Sequence, residues 1–136
     1  MRKVTGAAFV SLDGVMQAPG GPQEDWSGGF ELGGWLFNYF DEEVGTRIDA
    51  LFEEPFDLLL GRRTLEIFAA YWPFVEGEDD GIGARFDRAS KFVMTRGEQP
   101  LDWQNSHRLS GLDGLAELKR GEGPDLVIQG SSTLYP

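Results

Sequence analysis

Three short runs rich in apolar, β-favouring residues, Phe56 to Leu60, Lys91 to Thr95 and Asp125 to Gln129, each open directly into a polar turn that contains glycine. Segments with helical spacing lie between them. Apolar runs without polar alternation suit strands covered on both faces, and strands alternating with helices argue a largely parallel sheet. The pattern predicts an α/β fold. Ligands in such sheets bind beyond the carboxyl ends of the strands. Gly61-Arg62-Arg63-Thr64, Thr95-Arg96 and Gly130-Ser131-Ser132-Thr133 would then share one edge.

The other elements follow from local signals. Val4 to Leu12 reads as a buried first strand ended by Asp13-Gly14. Asp41 is placed to cap a helix carrying Val44, Ile48, Leu51 and Phe52, with Glu42 and Glu43 in its first turn and Pro55 ending it. A second helix begins near Arg62 or Arg63, presents Leu65, Phe68, Ala69 and Trp72 on one side and stops at Pro73. Glu76 to Asp80 is an acidic loop, Ala84 to Ala89 a short helical turn, and Glu98 to Arg108 a polar, irregular stretch around Trp103. Leu112, Leu115 and Leu118 predict a further helix, stopped by Gly121 and Gly123-Pro124.

Gln17 to Gly34 is dense in glycine and proline yet carries Trp26 and Phe30, with Trp35 just beyond. Such a length of irregular chain serves as a binding loop or lid, or else as a flexible connector. The aromatic rings favour the former, because large rings find something to pack against.

With 136 residues the chain fits one domain with a real core. A formal charge of −11 argues against nucleic acid and against anionic lipid as partners. Any phosphate site must be a local basic island. The absence of cysteine removes disulfides, thiol nucleophiles and thiolate metal sites, and fits a reducing compartment. The lone His107 cannot anchor a histidine-rich metal centre and reads as a surface or loop residue, so no metal is expected. The apolar stretch Ala7 to Leu12 breaks at Asp13, too short for a signal peptide, and no segment reaches the roughly 20 apolar residues of a membrane span. A soluble, cytoplasmic protein is expected.

Gly61-Arg62-Arg63-Thr64 has the chemistry of a phosphate turn. Glycine permits close backbone approach, the N-H groups opening a helix favour an anion, and guanidinium forks bind phosphate oxygens in pairs. Its plain alternative is a surface turn with solvated arginines.

Taken in order, Ser11-Leu12-Asp13-Gly14, Gly33-Gly34-Trp35 with Phe40-Asp41-Glu42-Glu43, Leu59 to Thr64 running on to Phe68-Ala69-Ala70-Tyr71-Trp72-Pro73, and Val127-Ile128-Gln129-Gly130-Ser131 cover nearly the whole chain. They resemble the dihydrofolate-reductase-like superfamily. The closer likeness is to the branch holding the reductase (C-terminal) domain of the bacterial bifunctional riboflavin-biosynthesis deaminase-reductase, among its small stand-alone members. The resemblance implies a central, mostly parallel mixed sheet flanked by helices on both faces. It also implies a reductase that binds NADPH along the strand ends. By that likeness Gly61, Arg62, Arg63 and Thr64 hold the pyrophosphate and adenosine phosphate, while Thr95 and Arg96 help with the 2'-phosphate and so select NADPH over NADH. Gly130, Ser131, Ser132 and Thr133 would supply a second helix N-terminus, and the edge of the first strand, from Val10 to Gly14, would lie beside the nicotinamide. For Ser131 and Ser132 an ordinary helix N-cap is equally open.

Two departures qualify the likeness. Folate-reducing relatives use one carboxylate on the first helix, and none of Asp41, Glu42 and Asp49 is assigned to that position, which makes dihydrofolate a poor substrate. The chain also stops at Tyr135-Pro136, where relatives continue through a helix and further strands. The expectation is therefore one domain over residues 1–136, cut short at its C-terminus and lacking its last strands. Homodimers are common among the relatives, and a homodimer is expected here.

Hydride transfer needs an acceptor held near the nicotinamide, with water excluded and a proton donor in reach. Asp13 and Asp41 are the candidate catalytic residues, each with a structural alternative: a turn aspartate and a helix cap. Trp26, Phe30, Trp35 and Trp72 are candidates to line a flat substrate pocket, although Trp35 and Trp72 equally suit a core. The leading reading is an NADPH-dependent reductase of a small heterocyclic or carbonyl compound, such as a pyrimidine related to riboflavin synthesis. The alternatives are a non-catalytic NADP-binding or dimerisation module of the same fold, and a flavin-binding electron carrier. The last lacks its hydroxyl-rich turn, since Asp13-Gly14-Val15-Met16 follows the first strand.

Overall fold

A computed structural model describes residues 1–76 and 81–135. Most of the acidic loop expected from Glu76 to Asp80 therefore lies outside the described residues. The chain forms two compact units, one of Met1–Ala7 with Glu54–Pro136 and one of Ala8–Glu53.

The first unit holds a five-stranded sheet of β1 (Val4–Ala7), β2 (Phe56–Gly61), β3 (Lys91–Met94), β4 (Ser106–Leu109) and β5 (Asp125–Gln129). Their order is β1-β5-β2-β3-β4, and all neighbours pair in parallel. Parallel pairing brings every strand's carboxyl end to the same edge. In register, Gly61 stands opposite Met94, and Met94 opposite Leu109.

Successive residues of β2 point to opposite faces, and Leu58, Leu59 and Leu60 are at most 1% exposed, so both faces are covered. On the Leu59 face, Leu109, Leu126 and Ile128 pack with Leu115 and Leu118 of α4 (Gly111–Arg120). On the other face Phe56 meets the edge of Phe86 in α3 (Ile82–Arg88), with ring centroids 5.9 Å apart. Phe86 in turn stacks on Phe68 of α2 (Arg62–Ala69) at 5.8 Å. Trp72 closes this cluster edge-on against both rings. Burying a large apolar side chain stabilises by roughly 1.5–3 kcal/mol, so these aromatic contacts are what clamp α2 and α3 to the sheet.

At the amino end of β3 the fold buries a charge. Lys91 is 0% exposed, donates from Nζ to the carbonyls of Asp87 at 2.7 Å and Gln104 at 3.1 Å, and lies 4.1 Å above the Trp103 ring. Trp103 Nε1 donates to Asp87 Oδ1 at 2.8 Å. Burial pushes the Lys91 ammonium down to about 8, and the Asp87 carboxylate opposes that shift.

In the second unit α1 (Glu42–Leu51) is capped as expected, with Val44 N-H donating to Asp41 Oδ1 at 2.9 Å. The glycine-rich stretch before it is bonded to itself, which argues against a flexible connector. Gly34 N-H donates to the Ala18 carbonyl at 2.8 Å, Trp35 Nε1 to that of Gln17 at 3.0 Å, and Trp26 Nε1 to that of Pro22 at 2.9 Å. Glu24 Oε2 accepts from the amides of Gly20 at 2.6 Å and Gly21 at 3.0 Å.

Four expectations need correction. β1 ends at Ala7, not Leu12; beyond it Ser11 closes a turn by accepting from Val15 N-H at 2.8 Å, so Val10 and Gly14 are not strand residues. The polar stretch from Glu98 to Arg108 contains most of β4, an edge strand that tolerates exposed Ser-His-Arg because only one neighbour pairs with it. His107 is accordingly a strand residue, its ring 5.4 Å from that of Phe92. The sheet of the described residues is wholly parallel, not mixed, and Leu112 of α4 is 75% exposed, outside the packed face.

No helix among the described residues is long and apolar enough to cross a membrane. Nor, among those residues, do three His, Asp or Glu side chains converge as a metal site would require.

Candidate functional site

The strand-end turns after β2 and β5 are joined by a reciprocal pair of hydrogen bonds. Gly61 N-H donates to Ser131 Oγ at 2.9 Å, and Ser131 N-H donates to Thr64 Oγ1 at 2.9 Å. One hydroxyl from each turn thus satisfies an amide of the other. Ser131 is 8% exposed and sits in the left-handed region at φ 56°, an uncommon conformation for serine that its two cross-turn bonds hold in place. Its hydroxyl therefore does not cap a helix. Ser132–Leu134 forms only a single 3-10 turn, so the second helix N-terminus expected after Gly130 is absent from the described residues, and Ser132 and Thr133 lie in that turn.

The two glycines of the pair serve different ends. Gly130 has φ +64°, and a β-carbon there would come within 3.1 Å of Thr64 Cγ2. Gly61 has φ −77° and ψ 159°, open to any residue, and a β-carbon there would find its nearest neighbours in Ser131 at 3.8 Å, an ordinary contact. The fold demands glycine at 130 and leaves position 61 free of any steric or backbone requirement for it.

Gly61 is the N-cap of α2 and, having no side chain, caps none of the helix's first amides. Arg62 is partly engaged: Nε donates to Glu66 Oε1 at 2.6 Å and Nη1 to the Gln99 carbonyl at 3.0 Å. Arg63 is the second residue of the same helix. After β3, Thr95 Oγ1 accepts from Gly97 N-H at 3.2 Å, and exposed Arg96 makes no hydrogen bond or ion pair with another described residue. Arg108 on β4 points its guanidinium to the carbonyls of Gly97 and of Gln99, the latter at 2.7 Å. Arginines from β4 and from the turns after β2 and β3 thus gather at one sheet edge of a chain whose charge is −11. A guanidinium-rich edge beside an uncapped helix start is suited to phosphate. Arg108 was missed in the sequence because its strand was; its signal was the apolar Leu109 closing a run that pairs in register with β3.

The remaining candidates divide between the units. Trp72 belongs to the aromatic cluster against the sheet, within 5.1 Å of Phe86 and 5.0 Å of Tyr71. In the second unit Trp26 is 64% exposed, Trp35 is half-buried and bonded to Gln17, and Phe30 closes a 3-10 turn at Ser27–Gly29. Asp13 accepts from the Ser11 hydroxyl at 2.6 Å, and that bond holds its carboxyl below the ordinary aspartate range, the wrong direction for a proton donor at neutral pH. Asp41 is occupied as a helix cap. Glu24 moves the other way, since burial raises its carboxyl against the pull of the Gly20 and Gly21 amides.

No curated protein matches the chain. The family model of the RibD C-terminal domain does, over residues 2–135. That family points to a reductase-like role in riboflavin biosynthesis, and the dihydrofolate-reductase-like α/β sheet agrees with it. With nearly its whole length matched, the chain belongs to the RibD C-terminal domain family.

Proposed function

We propose that the chain is an NADPH-dependent reductase acting on a small heterocyclic or carbonyl substrate, in the manner of a 5-amino-6-(5-phosphoribosylamino)uracil reductase. One observation carries the reading. The Gly61–Ser131 and Ser131–Thr64 hydrogen bonds build a rigid double turn at the sheet's carboxyl edge, flanked by arginines in an otherwise acidic chain. The donor set fits a dinucleotide phosphate: α2 starts without a side-chain cap, position 61 has room that the fold does not use, and Arg62, Arg63 and Arg96 are at hand. When bound, the cofactor supplies the hydride. The chain's residues hold its phosphates, and the family's reductase role supports the assignment.

Titration of NADPH against NADH tests it, with Arg62, Arg63 and Arg96 changed singly to alanine. Losing one charge-assisted contact costs roughly 1.5–3 kcal/mol, about ten- to a hundredfold in affinity. If none of the three changes weakens NADPH binding or its advantage over NADH, the assignment fails.

A second reading, a non-catalytic NADP-binding module, is favoured by one observation: Asp13 is held ionised and Asp41 caps a helix, which leaves both candidate donors with structural roles. It predicts NADPH binding with no turnover across heterocyclic and carbonyl substrates.

A further inference from the structure

The turn after β3 is gripped by two arginines remote in sequence. Arg108, opposite Val93 in the β3–β4 register, donates from Nη1 to the Gly97 carbonyl and from Nη2 to the Gln99 carbonyl at 2.7 Å. Arg62, the first residue of α2, donates from Nη1 to the same Gln99 carbonyl at 3.0 Å. Both guanidinium groups therefore lie side by side on one oxygen. Of the two, Arg62 has a carboxylate partner, Glu66, while Arg108 has none among the described residues. Paired cations with one compensating anion favour a second anion nearby. The turn they hold is residues 95–99, and it includes Arg96, exposed and without a hydrogen bond or ion pair among the described residues.

We propose that Arg108 is a specificity-determining positioning residue of the dinucleotide site. It fixes the backbone that presents Arg96, and it adds charge beside Arg62 where a phosphate monoester would be received. The inference rests on the NADPH reading and deepens it. A monoester carries close to two negative charges at neutral pH, whereas the corresponding hydroxyl of NADH carries none, so a paired-arginine edge discriminates between them. A fork donating to two carbonyls also has a geometric role that lysine cannot copy.

The test measures dissociation constants of the full chain for NADPH and for NADH in wild type, Arg108→Ala and Arg108→Lys, with melting temperatures alongside. Arg108→Ala is expected to weaken NADPH about tenfold or more while NADH changes little, reducing the preference ratio. Arg108→Lys, with the charge but not the fork, is expected to fall between. It decides the matter should the alanine variant fail to fold. A preference ratio equal to wild type in the folded variants, or an equal loss for both dinucleotides, overturns the role of Arg108 while leaving the cofactor reading standing. A wild-type chain with no preference for NADPH overturns both.

Discussion

Replacing Gly61 by alanine separates what the fold needs from what a ligand needs. At φ −77° and ψ 159° the backbone is open to any residue, and the added methyl would meet its nearest neighbours in Ser131 at 3.8 Å. Folded-state cost is thus close to zero, while the unfolded chain loses freedom, a gain of about 0.4–1 kcal/mol. The expected result is a melting temperature unchanged or raised by about 1 to 4 °C. Gly130→Ala is the internal contrast. A left-handed alanine costs roughly 1–2 kcal/mol, and the 3.1 Å approach to Thr64 Cγ2 disturbs the hydroxyl that receives Ser131 N-H, worth about 1 kcal/mol more. The sum, about 2–3 kcal/mol, lowers the melting temperature by roughly 5 to 12 °C. Thermal melts followed by near-ultraviolet circular dichroism read the stability, and calorimetric titration reads NADPH. If backbone amides near Gly61 approach a phosphate, its alanine variant melts like wild type yet binds NADPH at least about tenfold more weakly. A Gly61→Ala chain destabilised by more than about 1 kcal/mol, or a neutral Gly130→Ala, refutes the steric argument. Undiminished NADPH binding in a stable Gly61→Ala chain refutes the close approach.

Ser131→Ala leaves Gly61 N-H without its acceptor and should cost about 1–3 kcal/mol; combined with Thr64→Val in a double-mutant cycle, the two changes should be non-additive, and strict additivity would show that the turns are not coupled. Lys91 makes stability depend on alkaline pH: because its folded value, about 8, lies below the unfolded value of 10.5, the unfolded chain binds more protons between them. Stability should therefore rise from pH 8 to 10.5, by up to about 3 kcal/mol, and denaturant melts of Lys91→Met should lose that slope; an identical slope in the variant would assign it to other groups. Asp13 stays ionised below the ordinary aspartate range, so Asp13→Asn should leave the pH profile of any reductase activity unchanged above pH 5; a lost limb of the profile would return it to the chemistry.

Much of the architecture was legible because it is written locally. The run at Phe56 to Leu60 is apolar but for Asp57, as suits a strand covered on both faces, and Asp41 followed by two glutamates is a helix start that needs no tertiary help. β4 was not legible. Ser106 to Arg108 carry no strand pattern, and what makes them a strand is the row of β3 backbone groups waiting beside them. Val10 to Leu12 failed in the opposite sense: strand-like composition, but no partner to pair with once the chain leaves β1. Trp72 could have lined a pocket or filled a core until Phe68 and Phe86 were seen against it.

By itself the sequence determined the sheet's class, the presence of three polar turns at strand ends, and the conflict between those basic turns and an acidic chain. Only the tertiary structure decided how the turns use their residues. Ser131 bonds Gly61 across 70 residues and Thr64 across 67, a meeting set by the β2–β5 register, which no local pattern encodes. The same register distinguishes two glycines that look alike in the sequence, requiring one and leaving the other sterically unconstrained. Arg108 joins Arg62 for the same reason: hydrogen bonding between strands, not proximity along the chain, fixes which side chains share an edge.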